Sequence, residues 1–156
     1  MSIPWFHAFD TTLESPNRIQ SEGRMKALSI RQPWASLIVN GDKTIEIRSW
    51  KPRTMVFPQK IWIHAGQQMD WEMPTVSVIP TDLPRGAIIG EVSITGIIQY
   101  TDLKQWLRDL SRHLSPPDQY KKGLYGFTLS DPKPCPAPMR LKGRLGFFDV
   151  PASLLF

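Results

Sequence analysis

The chain of 156 residues holds a single cysteine, Cys135. One thiol forms no internal disulfide and no multi-cysteine zinc site, and it points to a reducing, cytoplasmic address. Long apolar runs are missing as well. Stretches such as Ala87-Ile88-Ile89 and Ile97-Ile98 are far too short to span a bilayer, so no membrane partner is expected. No charged segment followed by an apolar one opens the chain, which argues against a secretory signal. His-x-x-x-His spacing, paired cysteines and clustered aspartates are absent, as are the P-loop and the dinucleotide Gly-x-Gly-x-x-Gly fingerprint. Neither a metal nor a cofactor is expected. Cys135, flanked by prolines, has no base close by in sequence and is a poor nucleophile candidate.

Proline is plentiful instead, with 15 residues beside 10 glycines. That argues for short elements joined by frequent turns. Hydrophobic residues at 41% and charged residues at 21% suit one domain with a real core. The net charge is +5, which is compatible with a polyanion partner. Its distribution says more. Lys43 to Lys60 carries five basic residues and one acid, Glu46, and Lys121 to Arg144 carries six and one, Asp131. If the fold joins these blocks, the molecule has a positive face; otherwise they are two separate solvated patches.

Residues 1–24 read as an N-terminal arm without periodicity, and residues 25–156 as a single domain. Lys26–Arg31 alternates as a short strand. Pro33 suits a first helical turn, with Trp34, Leu37 and Ile38 on one face and Gly41 as the left-handed cap. Strands are expected over 44–50, 60–65 and 86–100, and a helix with Leu103, Trp106, Leu107, Leu110 and Leu114 on one face. Strands at 124–129 and 144–150 close the chain, with the Pro132, Pro134, Pro136 and Pro138 segment between them. The long stretch 66–85 has no clear pattern. Roughly six strands and two helices, not strictly alternating, predict an α+β, mainly β fold. Its form would be a small, mostly antiparallel β-barrel with flanking helices.

Several side chains carry chemistry. Gly41 can turn the chain into a strand that presents Lys43, with Glu46 and Arg48 sharing one strand face. A lysine beside a carboxylate in a cleft binds phosphate or, if desolvated, acts as base or nucleophile. Glu46 can hold Arg48 or serve as general base. A structural salt bridge on a strand is the plain alternative. Arg31 and Gln32 can reach base edges or phosphates. Trp50, followed by Lys51 and Arg53, has the aromatic-plus-basic setting of single-strand grooves. Trp34 shares the helical face of Leu37 and Ile38, so burial is expected for it. His64 titrates near neutral pH in its free form, or is a structural strand histidine. Glu91 stands on the polar face of its strand with Ser93 and Thr95, either reaching the same cleft or facing solvent.

The run Gly41, Lys43, Glu46 and Arg48, spaced G-x-K-x-x-E-x-R, resembles the signature of the ASCH domain, a relative of the PUA fold. The preceding Ser29–Ala35 phrase S-I-R-Q-P-W-A resembles one subgroup of it. Ile63–Ala65, Gly86–Val92, Tyr125–Phe127 and Lys142–Val150 follow in that subgroup's order, so the resemblance covers about residues 26–151. It implies a compact PUA-like barrel with a cleft and an RNA-related role, and it strengthens the cleft assignment of Lys43 and His64. Activities attached to the family are RNA binding, cleavage of single-stranded RNA, and hydrolysis of an acetyl group from a modified cytidine. In the amidohydrolase branch a threonine stands where this chain has Glu46, and Thr44 is the nearest hydroxyl.

The expected function is therefore binding of single-stranded RNA or a modified nucleoside in a basic cleft. The candidate catalytic residues are Lys43, Glu46, His64 and Glu91. The candidate nucleic-acid contacts are Arg31, Gln32, Lys43, Arg48, Trp50, Lys51 and Arg53. Two alternatives stand beside it: a metal-independent ribonuclease or acetylcytidine amidohydrolase on the same cleft, and a non-catalytic regulatory module with a protein partner.

Overall fold

The computed structural model describes residues 23–71, 82–151 and 153. The expected arm lies outside them except for its last two residues, and Arg24 already pairs with Pro151 in the sheet. Six strands are described: β1 (Arg24–Gln32), β2 (Ile45–Arg48), β3 (Gln59–Met69), β4 (Ala87–Gln99), β5 (Tyr125–Arg140) and β6 (Phe147–Pro151). Three short helices join them: α1 (Trp34–Val39), α2 (Leu103–Arg108) and α3 (Leu110–His113). The single helix expected after Thr101 is thus two. Asp102 accepts from Gln105 N to start α2, and Leu114 ends α3 in the left-handed region at φ 61.

The strands form one sheet in the order β2-β5-β4-β3-β1-β6. Only β1 and β3 run parallel; the other ladders are antiparallel. The mainly β, α+β class holds, but the expected barrel does not close. No ladder joins β2, one edge, to β1 or β6 at the other. The sheet curls until the edges meet through side chains. Trp50, just past β2, sets its ring edge-on to Phe147 of β6 at 5.5 Å, and Arg48 Nη2 donates to the Ser29 carbonyl of β1 at 2.9 Å.

Alternation sorts the apolar residues onto two faces. Leu28, Ile30, Ile61, Ile63, Ile94 and Phe127 fill the larger core, which Ala35, Ile38 and Val39 of α1 cover. Ala27, Ile88, Phe148 and Val150 form a smaller cluster. The proline segment, expected to separate two strands, is the far half of β5. Gly90 pairs with Pro134 and Glu91 with Lys133. The four prolines carry no N–H, and the β4–β5 register shifts among them, with Gly90 opposite Pro134 and Ile88 opposite Met139. β2 pairs with β5 only from Tyr125 to Thr128, so the side of β5 away from β4 is an edge along the prolines.

Gly90 lets α1 sit down on the sheet. A Cβ there would stand 2.6 Å from Val39 Cγ1 and 2.7 Å from the Lys133 carbonyl oxygen. Because one obstacle is backbone, relaxation is costly. Gly90→Ala is expected to lower unfolding free energy by about 1–3 kcal/mol in urea denaturation. An unchanged midpoint would show that α1 does not press on β4 as described.

Candidate nucleic-acid interface

The opening between β2 and β1 is a cleft of about 890 Å³. Its lining comes from β1, α1, β2, β3, the 141–146 loop and the α2–α3 region. Five cations face it, Arg31, Lys43, Arg48, Lys142 and Arg144, against one acid, Glu46. Two residues of each basic block, Lys43 with Arg48 and Lys142 with Arg144, contribute to this lining.

The floor is set by how α1 ends. Gly41 takes φ +86, and the N–H groups of Asp42 and Lys43 both bond the Leu37 carbonyl at 2.9 and 3.0 Å. β2 begins only at Ile45, so strand alternation does not constrain Lys43, and its side chain turns inward to 2% exposure. Its Nζ donates to the His113 carbonyl at 2.6 Å, stands 3.7 Å from Glu46 Oε2, and lies 4.8 Å above the Trp34 ring. A carbonyl, a carboxylate and a π face thus surround one ammonium. Burial nevertheless dominates. It lowers the Lys43 pKa from 10.5 to about 8, with Glu46 opposing and Arg48 adding to the fall. Glu46 also meets Arg48, whose Nε stands 3.1 Å from Oε1 without hydrogen-bond alignment. Arg48 leans toward Trp50, 5.9 Å from its ring.

Trp34 and Trp50 both line the cleft. Trp34, expected to be buried, is half-buried. It packs on the core, and its indole N–H donates to Asp70 at 3.1 Å. Trp50 wedges edge-on between Phe127 and Phe147. Arg31 is exposed at the rim.

His64 is 1% exposed and fully engaged. The Leu141 carbonyl can only accept, so Nε2 donates to it at 2.6 Å, and Nδ1 pairs with the Ser29 hydroxyl at 3.0 Å. These two contacts fix the 141–146 loop to β1. Gly143 packs against it so closely that a Cβ would lie 2.6 Å from Cε1.

Other expected residues lie elsewhere. Gln32 is fully buried and spends its amide on local structure. It accepts from Ser36 N at 3.0 Å and donates to Ser36 Oγ and the Pro84 carbonyl, which leaves nothing for a base edge. Glu91 does not line the cleft and pairs with Lys60 at 3.0 Å instead. Lys51 and Arg53 line a neighbouring hollow. Trp71 is exposed and outside the lining, as are Lys121 and Lys122. Thr44 does not line the cleft either. Burial and Glu91 raise the Cys135 thiol pKa, which agrees with an inert cysteine.

Residues 28–131 match the ASCH domain, more than half of the sequence. The chain belongs to the ASCH domain family. Human activating signal cointegrator 1 is 29% identical over 103 residues, a match that covers 58% of this chain but only 17% of that protein. The crystal structure of ASCH from Zymomonas mobilis superposes with a TM-score of 0.62 at 20% identity, covering 83% of this chain and 90% of that one. A point mutant of the same bacterial protein gives 0.55 at 24% identity, with 74% and 75% covered. These likenesses establish the fold. No helix among the described residues is long and apolar enough to cross a membrane, and none of their His, Cys, Asp and Glu side chains group as a metal site.

In this ASCH domain, sequence reasoning missed four lining residues worth naming. Lys142 and Arg144 sat inside a basic block and a motif already singled out, which was signal enough. Ser115 and Trp106 had no such signal. Trp106 is fully buried, lines the cleft, and its indole N–H has no partner among the described residues. Its ring stacks at 4.1 Å on His113, whose Nε2 donates to the Trp106 carbonyl and whose Nδ1 accepts from Ser115 N. Burial lowers the His113 pKa, so the residue that anchors Lys43 stays neutral.

The lowered lysine pKa has a definite sign in stability. Below about pH 8 the folded chain carries the cost of a buried charge. Above it the folded amine is neutral, while the unfolded one keeps its proton up to 10.5, so stability rises with pH across that window. The melting temperature of wild type minus that of Lys43→Met should climb between about pH 8 and pH 10, with a ceiling on the order of 3 kcal/mol. A flat difference would mean that Lys43 titrates as an ordinary surface lysine.

Proposed function

We propose that this ASCH domain binds RNA, taking an unstacked base of a single strand, or a modified nucleoside, into the cleft between Trp34 and Trp50. The supporting observation is the convergence of two basic blocks, far apart in sequence, on one tryptophan-walled cleft with a single acid. Exposed Arg31, Lys142 and Arg144 suit phosphate oxygens at the rim. The tryptophan rings suit a base face, and Lys43 with Glu46 offers a donor and an acceptor to a base edge. Sequence-specific RNA recognition favours such splayed bases because duplex grooves in RNA are hard to read.

The second reading is hydrolysis in the same cleft, favoured by the lysine pKa of about 8. A part of Lys43 is then the free amine near neutral pH, able to take a proton, and its charged form can meet developing negative charge. The substrate would be the RNA backbone or an acetylated cytidine. Glu46 in place of threonine, with Thr44 outside the cleft, weighs against the second of these.

Purified protein with labelled single-stranded RNA, without metal and over a salt series, tests both readings. Affinity should fall steeply with salt. Lys142→Gln with Arg144→Gln should reduce the log–log salt slope by about 1.4. Trp34→Ala should cost about 1–3 kcal/mol of binding. Strand cleavage by wild type that disappears in Lys43→Ala would move the assignment to a ribonuclease. Salt-independent binding, or none, would remove RNA from the account. Release of acetate from acetylcytidine would then identify the nucleoside enzyme.

A further inference from the structure

We infer that the hollow beside Trp50 is a second nucleotide subsite, so that the ligand of the cleft is a strand and not a free nucleoside; this rests on the RNA reading above. The hollow has a volume of about 270 Å³ and is lined by Lys51, Arg53, Met55, Phe57 and Tyr125, among others. No acid faces it, and both of its cations are exposed.

Its placement follows from the ladder. Arg48 of β2 is the register partner of Tyr125 of β5. Directly opposed residues project from the same face of a sheet, with Cα atoms about 4.5–5.5 Å apart. Arg48 lines the cleft and Tyr125 lines the hollow, so the two depressions are neighbours on one face. The chain makes the same step, since Trp50 lines the cleft and Lys51 the hollow. A strand whose base sits against Trp50 therefore meets Lys51 and Arg53 with its next phosphate.

The hollow also offers an aromatic surface. Lys51 Nζ stands 5.7 Å from the centre of the Tyr125 ring, and Phe57 is 37% exposed at the border. The Phe57 ring, partly left in water beside two cations, suits a stacked base, and such stacking is tolerant of sequence. Cations, aromatics and the absence of any acid together specify a polyanion with flat apolar rings, and a single-stranded nucleic acid has both.

The test compares a ribonucleoside monophosphate with a single-stranded RNA of about ten nucleotides, a length that spans several subsites. Both are titrated into wild type and into the double variant Lys51→Gln, Arg53→Gln. These positions are exposed, and thermal melting of the variant checks the fold. The expected result is an unchanged monophosphate affinity, an oligonucleotide affinity reduced roughly tenfold, and a log–log salt slope smaller by about 1.4. Phe57→Ala should weaken the oligonucleotide further and leave the monophosphate alone. Wild-type oligonucleotide affinity and slope in the double variant would overturn the subsite while leaving the cleft reading intact. Equal losses for both ligands would overturn it too, because the hollow would then act on the cleft itself. If wild type binds neither ligand, the RNA reading fails and the subsite fails with it.

Discussion

A side chain, not a ladder, closes the molecule. β2 is four residues long and runs out before it can reach β1, so the Ser29 carbonyl takes its hydrogen bond from the Arg48 guanidinium. A polar backbone atom at a sheet edge needs such a partner. Meeting that need with arginine pins a cation in the seam, where it lines the cleft. Arg48 then holds Glu46, and Glu46 stands beside Lys43. A strand long enough to complete the barrel would have filled the space these residues occupy.

The burial of Lys43 follows from the same geometry and needs a second set of supports. A lone ammonium removed from water is costly, and breaking one partner of such a group costs more than the pair contributes. Here the partners are themselves fixed. His113 offers its carbonyl to Lys43 while both of its ring nitrogens are engaged, one by Trp106 and one by Ser115. The short helices α2 and α3 thus position a lysine from a distant segment. They add little to the sheet, and their contribution to the cleft is this bracket together with the unpartnered Trp106 N–H.

The sequence made much of this legible, for identifiable reasons. The turn at Gly41 and the shared face of Glu46 and Arg48 are local and could be read from the residues, whereas the cleft position of Lys43 was implied by the resemblance. Strand positions rested on short-range alternation and held, except that β3 runs on to Met69, β6 starts only at Phe147, and β5 runs on through its prolines. Four missing donors look like a break until a free edge is known to lie beside them. Closure of the barrel is a long-range property of β2 length, and no local pattern reports it. Gln32 was misplaced because a buried amide capping α1 and an exposed amide reading a base have the same sequence. Glu91 failed for a similar reason: alternation gives the face but not the neighbour across the sheet, which is Lys60. Trp34 could be read as core or as cleft wall, and a half-buried ring serves as both.

The proline row of β5 has a consequence for how the chain meets other copies of itself. An exposed strand edge ordinarily offers alternating donors and acceptors on which another strand can grow. Pro132, Pro134, Pro136 and Pro138 lack an N–H while their carbonyls remain, so this stretch of β5 has fewer donors to offer. Edge-to-edge fibre growth is most dangerous where copies are crowded together. Each of the four prolines withholds one donor that such growth would use.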